Sequence, residues 1–233
     1  MSRYKKVFIG VIALLILGYA SYELMNSRTF QIFGNLYEKI ETQDKVVALT
    51  FDDGPTEMTD LILEELEALD IKATFFLVGS NMRENQDLTK KIVNEGHQIA
   101  SHSFTHTRMV FKSPRFLEEE VRRTNIEIRN AGYKDKIYFR PPYGKKLLFL
   151  PYILNKYDMA TIMWSIEPET YPEIAKDSDL IAKHILDNIS PGDIILLHPM
   201  YKQGEVSLES LKLFVPKLKE MGYEFKLISE VIE

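Results

Sequence analysis

From Lys45 onward the chain repeats one pattern. Short, nearly continuous apolar runs occur at VVALTF (46–51), ATFFLV (73–78), HQIASH (97–102), KIYFR (136–140), TIMWSI (161–166), DIILLH (193–198) and EFKLIS (224–229). Between them the apolar positions follow helical spacing. Leu61, Ile62, Leu66 and Leu69 do so after Pro55, and Phe116, Leu117, Val121, Ile126 and Ile128 do so within 114–131. Further helices are predicted over roughly 85–95, 147–157, 178–189 and 207–221. Strands apolar on both faces are strands covered on both faces, and alternating β and α implies parallel pairing through right-handed crossovers. Seven such units in about 190 residues predict a (β/α)7 barrel, one unit short of a TIM barrel, as a single catalytic domain. An open doubly wound sheet is the alternative. No Gly-rich phosphate loop follows any of these strands, which disfavours a nucleotide-binding version.

The N-terminus breaks this pattern. Arg3, Lys5 and Lys6 precede Val7–Ala20, a run without charge. Basic residues before an apolar run signal export or membrane insertion, with the positive end left in the cytoplasm. The run, alone or extended to Tyr22, reaches roughly 21–24 Å, short of a bilayer core of about 30 Å. Residues 1–22 are therefore read as a signal peptide, with small residues Gly18 and Ala20 at the cleavage positions, or as a short uncleaved anchor. Residues 23–44 are read as a stem and 45–233 as the catalytic domain. Either reading places that domain outside the cytoplasmic membrane, anchored or secreted to the cell wall.

Composition narrows the chemistry. A net charge of −5 and a pI near 5.7 argue against a nucleic-acid partner. The chain has no Cys, which excludes a disulfide framework, a Cys-zinc site and a thiol nucleophile. Any metal must be held by His and carboxylates.

Polar residues gather where the predicted strands end. Asp52 and Asp53 close the first, His102 and His106 follow the third, Arg140 closes the fourth, Glu167 follows the fifth and His198 closes the sixth. C-terminal strand ends form the rim where parallel α/β barrels carry their chemistry. His102 and His106 are four apart, and on a helical turn both imidazoles reach one ion. Two His and one carboxylate leave coordination positions open, as in a catalytic metal site. One Asp of the doublet can bind the ion while its neighbour stays free beside the bound water. His97 is read as structural and His184 as a surface residue.

TFDDGP, HSFTH, RPPYG, a Trp-containing strand and LLHP resemble, in order and spacing, the five motifs of carbohydrate esterase family 4 polysaccharide deacetylases, the NodB-homology domain. The resemblance covers about 45–233. It implies that Asp52 is the general base and that Asp53, His102 and His106 are metal ligands. Arg140 would orient Asp52, the Tyr143 peptide N–H would hold the oxyanion, and His198 would be the general acid. The ion would be divalent, zinc first, with Co²⁺, Fe²⁺ or Ni²⁺ accepted by the same ligands. Pro141, Trp164 and Tyr171 are placed at a sugar groove. The implied substrate is an N-acetylated amino-sugar polymer, foremost peptidoglycan N-acetylglucosamine; the protein is expected to act as a monomer, touching the membrane through its N-terminal segment if uncleaved. Chito-oligosaccharides or an exopolysaccharide are alternative substrates. An O-acetyl esterase on xylan-like glycan and a non-catalytic glycan binder are the rival functions. A non-haem iron oxygenase shares the metal triad but has no use for a separate base and acid. The chain departs from the family at WSIEPETY, where Thr170 and Tyr171 replace Asp-Trp, so that Glu167 or Glu169 must supply the charge that tunes His198. It departs again, with less consequence, at Pro199.

Overall fold

The computed structural model describes residues 2–232. The elements, in chain order, are α1 (Arg3–Asn26), β1 (Leu36–Tyr37), β2 (Val46–Asp52), α2 (Thr59–Ala68), β3 (Thr74–Leu77), α3 (Gly79–Glu84), α4 (Gln86–Asn94), β4 (Gln98–Ser101), α5 (Pro114–Asn130), α6 (Phe149–Lys156), β5 (Thr161–Ile162), α7 (Ser178–Asn188), β6 (Ile194–Leu197), α8 (Glu205–Glu220), β7 (Glu224–Phe225) and α9 (Ile228–Val231). Strand β2 pairs in parallel with β3 on one edge and β6 on the other, and β3 pairs with β4. Phe139 bridges β4 to β5 through Ser101 and Thr161, and Ile166 bridges to Ile195 of β6. These pairings close the ring expected of a (β/α)7 barrel.

Period-2 alternation sorts the strand side chains into two cores. Leu49, Phe51, Phe75, Ile99, Ile195 and Leu197 pack outward against the helices. Ala48, Phe76, Ala100, Tyr138, Ile162, Ile194 and Leu196 fill the barrel interior. Asp52, His102, Arg140, Trp164 and His198 continue the inward parity by an even number of residues, so the register that buries the inner layer also aims the rim residues at one another. Phe51 and Phe75 are fully buried and meet edge-on at 5.3 Å; truncating either to Ala costs about 3–5 kcal/mol.

Three expectations change. KIYFR forms a single bridging residue, because the two prolines after Arg140 cannot donate to a ladder; the segment still bonds both neighbours, Phe139 through Ala160 O and Ile162 N–H on the β5 side, and Tyr138 O and Arg140 N–H through Ser101 of β4. EFKLIS is strand only at 224–225 and then turns into α9, whose Ile228 and Ser229 N–H groups donate to Thr74 Oγ1 and Gln98 Oε1 at the barrel floor. Part of the 23–44 stretch is barrel wall: β1 pairs with β5, and Ile40 N–H donates to Gly192 O.

Helix α1 extends past the charge-free run at both ends. Its 24 residues reach about 36 Å, and its most apolar window has a mean hydropathy of 2.0 with no residue buried. By length and composition it can cross a bilayer core of about 30 Å.

Candidate active site

Two adjacent carboxylates leave the end of β2 in different directions because the backbone turns between them. Asp52 keeps extended geometry as the last strand residue, while Asp53 takes a left-handed φ of 77°. Asn81 of α3 fixes that turn by donating to Asp53 O at 2.9 Å. The Asp52 carboxylate meets Arg140 Nη1 at 2.7 Å. The Arg140 guanidinium is fully buried and also donates to Thr50 Oγ1, Ile162 O and Met163 O. Burial pushes the Arg140 pKa down and the Asp52 charge opposes that push. Three other hydrogen bonds fix the arginine, and the fourth holds Asp52.

His102 and His106 do not share a helical turn. They lie on a loop after β4, with Ser103 at φ 65° and His106 at φ 54°. Two left-handed residues fold the loop back so that the ring centroids come to 5.0 Å. The His106 N–H donates to Ser103 Oγ at 3.1 Å. Glu120 of α5, buried, accepts from the Phe104 and Thr105 N–H groups at 3.0 and 2.9 Å. Gly79 lets α3 approach, since a Cβ there would lie 2.5 Å from Phe104 Cδ2. His102 Nδ1 pairs with Arg140 O at 2.8 Å, which makes it the protonated nitrogen and turns Nε2, with its lone pair, inward.

Asp53 Oδ1 lies 3.4 Å from His102 Nε2 and 3.0 Å from His106 Nε2. Yet Oδ1 is a buried acceptor with no hydrogen-bond partner among the described residues. Burial works against the Asp53 charge, but positive charge at the two imidazole positions, a proton on the rings or a cation between them, outweighs it and holds the carboxyl well below the usual carboxylate range. One donor atom from each of these three residues falls within 4.8 Å of the others. A buried anion that is ionised, unpartnered and flanked by two inward-facing imidazole nitrogens fits a divalent cation with open positions. Asp52 Oδ2 stands 3.6 Å from His102 Nε2, outside that group.

His198 follows β6 and is half-buried. Its Nδ1 meets Glu169 Oε2 at 2.5 Å, and its N–H donates to Glu169 Oε1 at 3.1 Å. Ser207 of α8 donates to the same Glu169 carboxylate. Burial alone would push the His198 pKa down; Glu169, with Asp52 and Asp53, raises it to about 9. Glu169 thus supplies the charge in WSIEPETY, from one position before Thr170. Glu167 serves elsewhere: it accepts from Trp164 Nε1 at 2.8 Å and Thr170 Oγ1 at 2.7 Å.

These side chains face one cleft of about 560 Å³, lined by Asp52, Asp53, His102, His106, Tyr143 and His198 among others. Trp164 also lines it. Tyr143 has left-handed φ and ψ of 59° and 14°, exposes its ring beside His106, and lies beneath the Arg108 guanidinium. Pro141 is buried and does not line the cleft. Tyr171 lines a smaller adjoining cavity of about 310 Å³, its ring 5.2 Å from His184. His97 is buried, accepts the Ala73 N–H at Nδ1, and is pushed down to about 4 by burial and Lys72. Glu120, Asn81 and Ser207 escaped the sequence reading. Helical or loop polar residues far from the motifs carry no periodicity that marks them.

The polysaccharide deacetylase family profile matches residues 39–162, more than half of the chain. This chain belongs to the polysaccharide deacetylase family. The deacetylase match spans TFDDGP, HSFTH and RPPYG and stops before Glu169 and His198. Among curated relatives, peptidoglycan-N-acetylglucosamine deacetylase PgdA of Listeria monocytogenes is 33% identical over 193 residues. The alignment covers 81% of this chain and 39% of that protein, so the chain spans well under half the length of this relative. A crystal structure of the Bc1960 peptidoglycan N-acetylglucosamine deacetylase superposes with a TM-score of 0.78 at 30% identity, covering 83% of this chain and 90% of that one. BA3943 of Bacillus anthracis, described as a family pseudoenzyme, superposes with a TM-score of 0.77 at 30% identity, covering 87% and 70%. A deacetylase and a pseudoenzyme therefore resemble this backbone equally well. Side chains, not the barrel, must decide activity within this family.

Proposed function

We propose that the protein is a metal-dependent N-deacetylase of an amino-sugar polymer, foremost the N-acetylglucosamine units of peptidoglycan. One observation carries this reading: the unpartnered, ionised Asp53 Oδ1 between two imidazole nitrogens, with Asp52 held off that group by Arg140. A divalent ion at Asp53, His102 and His106, zinc being the first choice, supplies an activated water and polarises the acetyl carbonyl when bound. Asp52 accepts the proton of the attacking water. The water oxygen bonds to the acetyl carbon, the C–N bond breaks, and His198 gives its proton to the departing amine. The Tyr143 peptide N–H is the donor assigned to the acyl oxygen as charge builds there. A histidine raised to about 9 enters this step protonated at neutral pH. The names of the relatives support the N-acetyl and peptidoglycan choices. The intact acid pair favours an enzyme over a silent relative. Helix α1 supports an anchor or export segment that places the cleft at the cell wall, and residues 45–233 are proposed as the catalytic portion.

The test is acetate release from purified peptidoglycan, chito-oligosaccharides and acetylated xylan, with Zn²⁺ and with chelator. Release from the first two, abolished by chelator, is expected. Release from xylan alone would make the protein an O-acetyl esterase. Equal release by wild type and Asp52→Asn would refute the mechanism.

A further inference from the structure

The cleft has a rim that the family match does not include. The chain leaves α1 at Asn26 and lies along RPPYGKK before reaching the barrel. Lys146 N–H donates to Met25 O at 3.4 Å, the Lys146 ammonium donates to Ser27 O, and the Lys145 ammonium donates to Asn26 Oδ1. Lys146 is almost fully buried. This clamp places Asn26 and Arg28 among the residues that line the catalytic cleft. The matched region begins at residue 39, so the rim belongs to the chain's own N-terminal segment.

Arg28 is the exposed charge of that rim. Its guanidinium stands 5.3 Å above the Trp164 ring and 4.0 Å from Glu167 Oε2, with its side chain 46% exposed. At that distance Glu167 offsets charge without saturating the five donors of the guanidinium fork. Arg28 lines both the catalytic cleft and the adjoining cavity that holds Tyr171, so it stands where the two meet. Lys145 faces the same cleft. Burial and the Arg108 and Arg28 charges push its pKa down, so Lys145 feels both guanidinium charges. An N-acetyl group and a neutral sugar need no such cluster. A carboxylate does, because its planar oxygens match an arginine fork and a second cation strengthens the pair.

Building on the deacetylase reading, we propose that Arg28 and Lys145 form a subsite for a carboxylate on the sugar that flanks the N-acetylated residue. The site thereby selects acidic amino-sugar polymers over neutral ones.

The probe is one glycan in two forms: peptide-stripped peptidoglycan strands, whose lactyl carboxylates are free, and the same strands after carbodiimide-activated borohydride reduction to alcohols. The full chain in detergent is titrated with each by calorimetry, and acetate release is measured on the same samples. Wild type should bind the acidic form at least about tenfold more tightly, as a charged hydrogen-bonded pair implies. Arg28→Ala should bring the two affinities together, Arg28→Lys should keep part of the difference, and Lys145→Ala should shrink it. Equal wild-type affinities, or an Arg28→Ala loss that falls equally on both forms, would overturn the subsite. Acetate release without a preference defeats the subsite and leaves the deacetylase reading. A preference without release does the reverse.

Discussion

Asp53, His102 and His106 stand where every positioning contact comes from residues inside the family match: Asn81, Ser103, Glu120 and Arg140. His198 stands in the half that lies beyond the match, half exposed, held by a carboxylate from a loop and by Ser207 of α8. If the first half holds a metal ion, its groups must converge on a point smaller than a side chain, which constrains residue type, spacing and backbone turn together. The second half needs one carboxylate at one ring nitrogen, whichever residue brings it. Here Glu169 brings it, one position before Thr170, with Oε2 at 2.5 Å from His198 Nδ1. Exact geometry is written into the motif in the first case and into the fold in the second.

The comparison breaks most sharply at the metal side. Asp53→Ala or His102→Ala should abolish both acetate release and stoichiometric Zn²⁺ binding, read by metal analysis of the purified protein. Activity retained after full chelation would remove the metal half from the mechanism. Asp52→Asn separates base from ligand: metal content should stay unchanged while acetate release falls about 10²–10⁴-fold, the usual weight of a proton-transfer role. The same change leaves the buried Arg140 without its counter-charge, and a loss of about 3–5 kcal/mol in chemical denaturation is expected.

Glu169→Gln tests the acid half through pH. In the proposed mechanism His198 acts in its protonated form, and a pKa raised to about 9 preserves that form through neutral pH. Removing the Glu169 charge leaves burial in control, so the proton is lost at lower pH. The alkaline limb of kcat/KM should move down, and each unit of movement costs about tenfold at a fixed pH beyond it. Glu167→Gln is the matched control, since Glu167 bonds Trp164 and Thr170 and not His198. Its limb should stay in place, whatever change in KM follows from altering the contacts of Arg28 and Trp164. A limb that moves equally in both variants would mean that the cleft as a whole, not Glu169, sets the acid.

Much of this was legible in the chain. The apolar runs located the strands of the ring, and strand ends located Asp52, His102, Arg140 and His198, because period 2 fixes which way a side chain points. The helical turn expected for His102 and His106 was wrong in geometry, though the rings do meet; spacing of four is also produced by a loop with left-handed Ser103 and His106, and sequence does not distinguish the two. Glu167 and Glu169 were equal candidates in WSIEPETY because the choice depends on a short 3-10 turn at Pro168–Thr170. The barrel role of Leu36–Ile40 and the rim at Asn26–Arg28 were hidden for another reason. Their partners, Thr161, Gly192 and Lys145, are more than a hundred residues away, and long-range pairing leaves no local period to read.

The most direct measurement is the first coordination sphere of the Co²⁺- or Zn²⁺-loaded protein, by X-ray absorption together with anomalous diffraction. Two imidazole nitrogens and one Asp53 oxygen should bind the ion, with Asp52 outside the sphere and still paired to Arg140. An ion bound through Asp52 with Asp53 turned away, or no ion between His102 and His106, would contradict the assignment of base and ligand on which the rest depends.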